Sequence, residues 1–189
     1  NIKLSGFQAY NGSNQHVLNS KERESTVNRT NKRISNLLKH FDMSNLIVTG
    51  GGTGCFEEET KSKIYNEIQV GSYAFMDAHY SSLKKNKSNI LFENSLFIYT
   101  SVISVAKQNF AVVDAGLKSM SVDSGLPNIF NKNDLKYTKC SDEHGIIEDY
   151  NNSLKLNDKL KLIPGHCDPT CNLHDWYVVI DKNRKVKDL

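Results

Sequence analysis

The segment "NLIVTGGGTGCFEEETKSKIYNEIQV", residues 45–70, decides the fold class of the first part of the chain. It begins with a short apolar run, residues 45–49, that is typical of a buried strand and ends in glycines. Residues 55–64 have the charged pattern of a surface helix, and residues 66–70 are strand-like again. This order of strand, helix and strand predicts parallel strands joined by a right-handed crossover.

The residues before this segment extend the same pattern. Residues 2–10 are typical of a strand, and residues 16–40 carry apolar side chains mostly at helical spacing. The resulting β-α-β-α-β order matches the second half of a (β/α)8 barrel, because three strands alone cannot close a barrel. We therefore predict that residues 1–84 form the second half of such a barrel.

From about residue 85 the helical periodicity disappears. Polar, turn-rich stretches separate five runs that we predict to be strands, namely residues 96–107, 110–120, 144–148, 159–164 and 176–181. We predict that residues 85–189 form a separate, mostly antiparallel β domain. The polar residues 82–89 are expected to be a surface loop at the junction.

Charge and composition exclude several classes of protein. The 189 residues carry a formal net charge of +3, with both signs interspersed and no block of five basic residues, which argues against nucleic-acid binding. No apolar run approaches the ~20 residues that a membrane-spanning helix needs. Four cysteines are too few for a disulfide framework and favour a reduced, cytoplasmic compartment.

Two neighbouring strands of the predicted half-barrel end in small, polar turns. Residues 50–54 (GGGTG) follow the second strand, and Gly71 and Ser72 follow the third. Glycine lets the backbone approach an anion closely, and successive N–H groups supply partial positive charge. We interpret these turns as the two sides of a phosphate site. The alternative is a tight connecting turn that binds nothing, but four glycines around a threonine cost more chain entropy than a plain turn justifies.

The end of the first strand carries Tyr10 and His16, which are candidates for ring stacking and for acid–base chemistry. Alternatively, His16 could be a residue at a helix N-terminus that simply bonds to a loop carbonyl. Both interpretations of His16 remain open at the level of residue pattern.

The stretch "LKLIPGHCDPTCNLHDWYVV", residues 160–179, is compatible with three kinds of site. In an extended segment His166 and Asp168 would point to the same face and could bind one cation, with positions left open for water and substrate. An imidazole with a carboxylate suits Mn²⁺, Zn²⁺, Co²⁺ or Mg²⁺. The alternatives are a turn framed by Pro169 and, less favoured, a disulfide between Cys167 and Cys171.

Taken together, these motifs resemble the C-terminal part of the D-threonine aldolase / 3-hydroxy-D-aspartate aldolase family, which is related to D-serine dehydratase. These are pyridoxal-phosphate (PLP) enzymes with an alanine-racemase-like barrel followed by a β domain. The resemblance rests on six collinear motifs: "GFQAYNGSNQH", "VTGGGTGCFEEE", "NEIQVGSYAFMDAHY", "VDAGLKSMSVDSGLP", "SDEHG" and "PGHCDPTCNLHDWY".

The resemblance implies a role for each candidate residue. His16 would act as base at the β-hydroxyl of the substrate, and His166 and Asp168 would hold a divalent metal. The remaining positions would bind PLP, through its phosphate at Thr53, Gly54, Gly71 and Ser72, near its ring at Gln69, and in the surrounding pocket at Tyr10 and Tyr73. The dehydratase branch is similar but carries cysteine at the second ligand position, so Asp168 favours the aldolase branch.

The resemblance also implies the activity of the whole enzyme. It would cleave a D-3-hydroxyamino acid, such as D-threonine or 3-hydroxy-D-aspartate, to glycine and an aldehyde, and it would be a homodimer. The lysine that binds PLP covalently in this family lies near the start of the barrel, and no lysine here sits at a matching motif. We therefore expect this chain to be inactive alone. D-serine dehydratase and a non-catalytic fragment are the alternatives.

Overall fold

The computed structural model describes residues 2–83, 90–183 and 185–188. These residues form two compact units. The first contains the residues up to 76 together with residues 80–93, and the second contains residues 77–79 together with those from 94 onward. Most of the predicted junction loop, residues 84–89, lies outside the described residues, so the boundary between residues 84 and 85 stays a prediction.

The first unit contains a three-stranded parallel sheet in the order β1-β2-β3. Its strands are β1 (Gly6–Gln8), β2 (Ile47–Gly50) and β3 (Glu67–Ile68). The connecting helices are α1 (Ser20–Leu38) and α2 (Phe56–Lys61). The predicted β-α-β-α-β order with parallel strands is confirmed, although each strand is shorter than predicted.

Helix α1 begins where its sequence provides a cap. The side chain of Asn19 accepts hydrogen bonds from the backbone amides of Lys21 (3.0 Å) and Glu22 (3.2 Å), which otherwise have no partner inside the helix. A separate 3₁₀ helix, Gly12–His16, precedes it. The prediction that the long helix starts at His16 is therefore wrong, because Asn19 supplies the capping oxygen three residues later.

The second unit is built on a six-stranded antiparallel sheet in the order β6-β9-β4-β5-β8-β7. Its strands are β4 (Ile98–Lys107), β5 (Phe110–Val113), β6 (Asn128–Ile129), β7 (Lys136–Cys140), β8 (Gly145–Glu148) and β9 (Lys159–Ile163). A separate two-stranded ribbon pairs β10 (Val179–Ile180) with β11 (Val186–Asp188). The predicted antiparallel β domain is confirmed.

One apolar core stabilises the second unit. Alternate residues of β4 and β9 point inward, so Val102 and Leu162 are fully buried together with Val113, Met120 and Ile147. Burying a side chain of this size contributes about 1.5–3 kcal/mol. The sheet therefore provides a rigid platform for the loop that follows β9, which carries His166.

Several predicted elements of the second unit are wrong. The predicted strand 110–120 ends at Val113, because Asp114 accepts hydrogen bonds from the Ser101 amide and the Thr100 hydroxyl and redirects the chain. Strands β6, β7 and β11 were not predicted. Only strands were predicted for the β domain, whereas it contains the short helix α4 (Cys167–Cys171). The short helix α3 (Ala78–Ser82), which lies before the predicted β domain, was not predicted either.

In the parts of the chain that the structure describes, no helix combines the length and the hydropathy required to cross a membrane.

Candidate functional site

The glycine turn after β2 is shaped by Gln15, which the sequence analysis did not single out for a role. Gln15 is fully buried, and its Oε1 accepts a hydrogen bond from the Gly54 amide at 2.9 Å. Its Nε2 contacts the Cys55 Sγ at 2.6 Å. A Cβ on Gly52 would lie 2.5 Å from Gln15 Oε1, and one on Gly54 would collide with the Gln15 backbone. Gly54 therefore requires glycine because the Gln15 backbone passes directly beside it, whereas a side chain at position 52 would have to displace the Gln15 and Tyr10 side chains.

The two turns predicted to hold a phosphate adjoin each other. The backbone amide of Tyr73 donates a hydrogen bond to the Thr53 hydroxyl at 3.1 Å, which ties the turn after β3 to the turn after β2. Ser72 is buried beside it. Apart from its own chain neighbours, no described residue comes within 4 Å of the place where a Cβ on Gly71 would be. The space beside Gly71 is therefore open.

The Gly54 amide has a different partner from the phosphate that the resemblance implies. Its amide already donates to Gln15, so this N–H is committed to holding the turn. A phosphate bound here would use the groups around Thr53, Gly71 and Ser72. The assignment of these residues to a phosphate stays a prediction.

The residues expected around a cofactor ring are exposed in the first unit. The Tyr10 ring lies beside the glycine turn, since a Cβ on Gly52 would meet its edge at 2.9 Å. The Gln69 side chain is exposed, while its backbone amide donates to the carbonyls of Gly50 and Gly51. Tyr73 packs its ring on Phe92 with the centroids 5.2 Å apart. All three side chains are thus at least partly exposed.

His16 ends the 3₁₀ helix that follows β1 and is exposed. Its ring stacks on that of Tyr80, with the centroids 6.3 Å apart and the planes inclined by 28°. The adjacent Gln15 is anchored in the interior of the unit. His16 is therefore exposed on a backbone whose preceding residue is buried.

The structure brings the predicted metal pair together. His166 Nε2 lies 3.4 Å from Asp168 Oδ2, and the carboxylate is largely exposed while the imidazole is mostly covered. The premise of an extended segment is wrong, however, because Asp168 lies in the first turn of α4 and His166 immediately precedes that helix. Pro169 is tolerated there because the first amides of a helix have no intrahelical acceptor.

Electrostatics around His166 favour its protonated form in the absence of a cation. Burial lowers the pKa of His166, but its hydrogen bond to Asp123 and the negative charge of nearby carboxylates outweigh this and hold the pKa above its usual value. Although burial raises the pKa of Asp123, hydrogen bonds from Ser121, His166 and Ser124 lower it to about 2. Asp123 is therefore an anion at neutral pH.

A buried carboxylate from a distant segment caps α4. Asp77 is fully buried and accepts a hydrogen bond from the Cys167 amide at 2.9 Å. The amides of Ala78 and His79 donate to the carbonyls of Pro164 and Gly165. The short segment 77–79 thus fixes the loop that carries His166, a role that the sequence pattern did not indicate.

Cys167 is buried, whereas its neighbour Asp168 is exposed to solvent. The side chain of Cys167 is fully buried, and Cys55, Cys140, Cys167 and Cys171 are all free thiols, so the alternative of a disulfide between Cys167 and Cys171 is wrong. Among residues 2–83, 90–183 and 185–188, no group of three or more His, Cys, Asp or Glu side chains is arranged to hold a metal ion. The candidate site is thus a pair of ligands, which leaves other coordination positions open.

Comparison with known proteins supplies the family. The chain is 48% identical over 194 aligned residues to the 3-hydroxy-D-aspartate aldolase of Paracoccus denitrificans (strain Pd 1222), a match that covers 99% of this chain and 50% of the relative. The crystal structure of D-threonine aldolase from Filomicrobium marinum superposes with a TM-score of 0.92 at 33% identity, covering 99% of this chain and 52% of that one. The chain belongs to the D-threonine aldolase / 3-hydroxy-D-aspartate aldolase family.

Two further comparisons agree with this family. The family model described as "Putative serine dehydratase domain" matches residues 95–180, which lie in the β domain. An alanine-racemase-like protein from Idiomarina loihiensis superposes with a TM-score of 0.70 at 19% identity, covering 90% of this chain and 51% of that one, and shares the fold. The predicted fold class, half of an alanine-racemase-like barrel followed by a β domain, is confirmed. The chain spans about half the length of the curated relatives it matches.

Proposed function

We propose that the complete gene product is a PLP- and divalent-metal-dependent lyase. It cleaves a D-3-hydroxyamino acid, such as D-threonine or 3-hydroxy-D-aspartate, to glycine and an aldehyde. The observation that carries the proposal is the His166–Asp168 pair, 3.4 Å apart, in a chain that is 48% identical to a 3-hydroxy-D-aspartate aldolase.

Each unit of the chain offers one part of this chemistry. The turns containing Thr53 and Gly71 fit the phosphate of PLP, and His166 with Asp168 would hold Mn²⁺, Zn²⁺, Co²⁺ or Mg²⁺. When bound, PLP supplies an electron sink, and a divalent cation lowers the pKa of a nearby hydroxyl. His16, exposed on a fixed backbone, is proposed to accept the proton of the β-hydroxyl.

One observation favours a second candidate, D-serine dehydratase, since residues 95–180 match a family model described as a serine dehydratase domain. The cysteine expected at the second ligand position in that branch is not at position 168. Its neighbour Cys167 is buried, whereas Asp168 is exposed beside His166. The geometry therefore supports the aldolase.

Product analysis distinguishes the candidates. The complete gene product is incubated with PLP and Mn²⁺ and offered D-threonine, 3-hydroxy-D-aspartate or D-serine. Glycine with acetaldehyde or glyoxylate supports the aldolase, whereas pyruvate and ammonia from D-serine support the dehydratase. If neither set of products forms, the result supports the alternative that the protein is not catalytic.

The proposed enzyme is a homodimer. Support comes from the resemblance and from a run of consecutive exposed apolar side chains, residues 176–180. Light scattering of the complete gene product should give twice the mass of one chain, and a mass of one chain would contradict this part of the proposal.

A further inference from the structure

We propose that Asp123 is a positioning residue that fixes the His166 imidazole with its proton on Nδ1, so that Nε2 presents its lone pair to the cation shared with Asp168. This inference rests on the proposed function, since it concerns the same cation. Asp123 lies in the loop between β5 and β6 and was not a candidate in the sequence analysis.

The two nitrogens of His166 face different carboxylates. Nδ1 lies 2.7 Å from Asp123 Oδ2, and Nε2 lies 3.4 Å from Asp168 Oδ2. An ionised carboxylate only accepts hydrogen bonds, so the short contact at Nδ1 requires a proton on that nitrogen. In a neutral imidazole the other nitrogen then carries the lone pair, and that nitrogen is the one beside Asp168.

The orientation of Asp123 is fixed independently of His166. The Ser121 hydroxyl donates to Asp123 Oδ1 at 2.6 Å, and the Ser124 hydroxyl donates to Oδ2 at 3.0 Å. Each carboxylate oxygen therefore has a partner from its own loop. The Ser124 hydroxyl also lies 3.3 Å from His166 Nδ1, a longer contact than that of Asp123.

The loop that carries Asp123 is also tied to α4. The Ser121 amide donates to the Thr170 hydroxyl at 3.1 Å, and that hydroxyl donates to the His166 carbonyl at 2.7 Å. Thr170 is only 1% exposed, so this link is shielded from water. The buried Thr170 side chain thus joins the segment that carries Asp123 to the segment that carries His166.

A carboxylate behind a metal-binding histidine sets the tautomer and raises the basicity of the ligand, and its removal typically lowers metal affinity by ~10–100-fold. Asp123→Asn keeps the shape of the side chain but replaces one acceptor oxygen by an NH₂ group. The hydrogen bond to Nδ1 then either weakens or is lost when the amide turns. We expect a loss of metal affinity within this range.

The test uses Mn²⁺ alone as the probe on the complete gene product. Isothermal titration would compare the parent, Asp123→Asn, the ligand variant Asp168→Asn and the exposed control Asp134→Asn, with circular dichroism to confirm folding. The parent and Asp134→Asn should bind Mn²⁺ alike, Asp168→Asn should lose the site, and Asp123→Asn should bind the same number of ions ~10–100-fold more weakly.

A spectroscopic readout separates positioning from a structural role. In ¹⁵N-histidine-labelled protein saturated with Zn²⁺, the parent His166 should show a protonated Nδ1. In metal-free protein, at a pH where the imidazole is neutral, Asp123→Asn should lower the share of His166 that is protonated on Nδ1. His166→Ala identifies the signal.

Three results would overturn the inference. One is unchanged Mn²⁺ affinity in Asp123→Asn. Another is complete loss of binding in that variant, which would make Asp123 a ligand itself, and the third is a protonated Nε2 in the Zn²⁺-loaded parent. If the parent binds none of Mn²⁺, Zn²⁺, Co²⁺ and Mg²⁺, the proposed function fails and the inference fails with it.

Discussion

The side chain of Gln15 accepts a hydrogen bond from the backbone amide of Gly54, 2.9 Å away and 39 positions later in the chain. Gln15 is fully buried, and its backbone occupies the space into which a Cβ on Gly54 would project. Gln15, which immediately precedes His16, therefore fixes the conformation of the glycine turn. This contact imposes a packing requirement on the turn, which is separate from the phosphate site proposed beside Gly71.

The packing requirement predicts the effect of Gly54→Ala. The new Cβ would collide with the Gln15 backbone, which cannot move aside as a flexible side chain could. We expect the free energy of unfolding of the complete gene product to fall by about 1–3 kcal/mol, the usual cost of overpacking. Urea denaturation measures this change. Unchanged stability would mean that the turn is not packed on Gln15.

The proposed phosphate site predicts the effect of Gly71→Ala. Apart from its chain neighbours, no described residue comes within 4 Å of the new Cβ, so the unfolding free energy should stay unchanged. A methyl group would fill the space assigned to the phosphate, and the dissociation constant for PLP should rise about tenfold, equivalent to ~1.4 kcal/mol. Absorbance titration with PLP measures this.

Gly12→Ala is the matched control for Gly71→Ala. Its Cβ would make an ordinary contact of 3.6 Å with the Tyr10 ring. It should bind PLP as the parent does. Equal PLP affinity in Gly71→Ala and the parent would show that the phosphate does not bind beside Gly71.

Asp149 predicts a pH dependence of stability. It is 3% exposed and accepts hydrogen bonds from the amides of Ser153 (3.0 Å) and Leu154 (2.8 Å) and from the Ser153 hydroxyl (3.0 Å). Burial raises its pKa, but these hydrogen bonds outweigh burial and hold the pKa below its ordinary value. A depressed pKa stabilises the folded state above the unfolded-state pKa of ~3.9, and this stabilisation is lost as the pH falls through the folded-state pKa.

Asp149→Asn should therefore lower the free energy of unfolding by about 1–3 kcal/mol at pH 7, because one NH₂ group would face a backbone donor. The difference from the parent should shrink as the pH falls towards and below ~4. Urea denaturation at several pH values measures it, with the exposed Asp134→Asn as control. A difference that is independent of pH would contradict the assigned cause.

The sequence predicted the fold because periodicity and order are local signals. The strand, helix and strand of residues 45–70 were recognisable from apolar spacing, and so was the alternation in β4 and β9. Helix α4 was missed because five residues give no period and because Pro169 suggested a turn. Strand β7 was missed because its one buried residue, Tyr137, lies among the polar residues Lys136, Thr138 and Lys139.

The candidate site was predictable only where its residues are neighbours in sequence. His166 and Asp168 are two positions apart in the sequence. They lie close together as predicted, although the segment is the start of a helix and not an extended strand. Asp123 contacts His166 from 43 positions away, and Asp77 contacts Cys167 from 90 positions away. Nothing in a single sequence pairs such residues, because their contacts depend on how the loops fold against the sheet.

The most direct test of the account is cleavage of 3-hydroxy-D-aspartate by the complete gene product supplied with PLP. Activity is measured after removal of divalent cations by a chelator and again after Mn²⁺ is restored, in the parent, Asp168→Ala and the exposed control Asp175→Ala. The account predicts that the parent and the control form glycine and glyoxylate only with Mn²⁺. At the same Mn²⁺ concentration, the activity of Asp168→Ala should fall by more than ~10–100-fold, which is the loss expected when a residue that only hydrogen-bonds to a metal ligand is replaced. Activity in Asp168→Ala equal to that of the parent, with the same dependence on Mn²⁺, would contradict it.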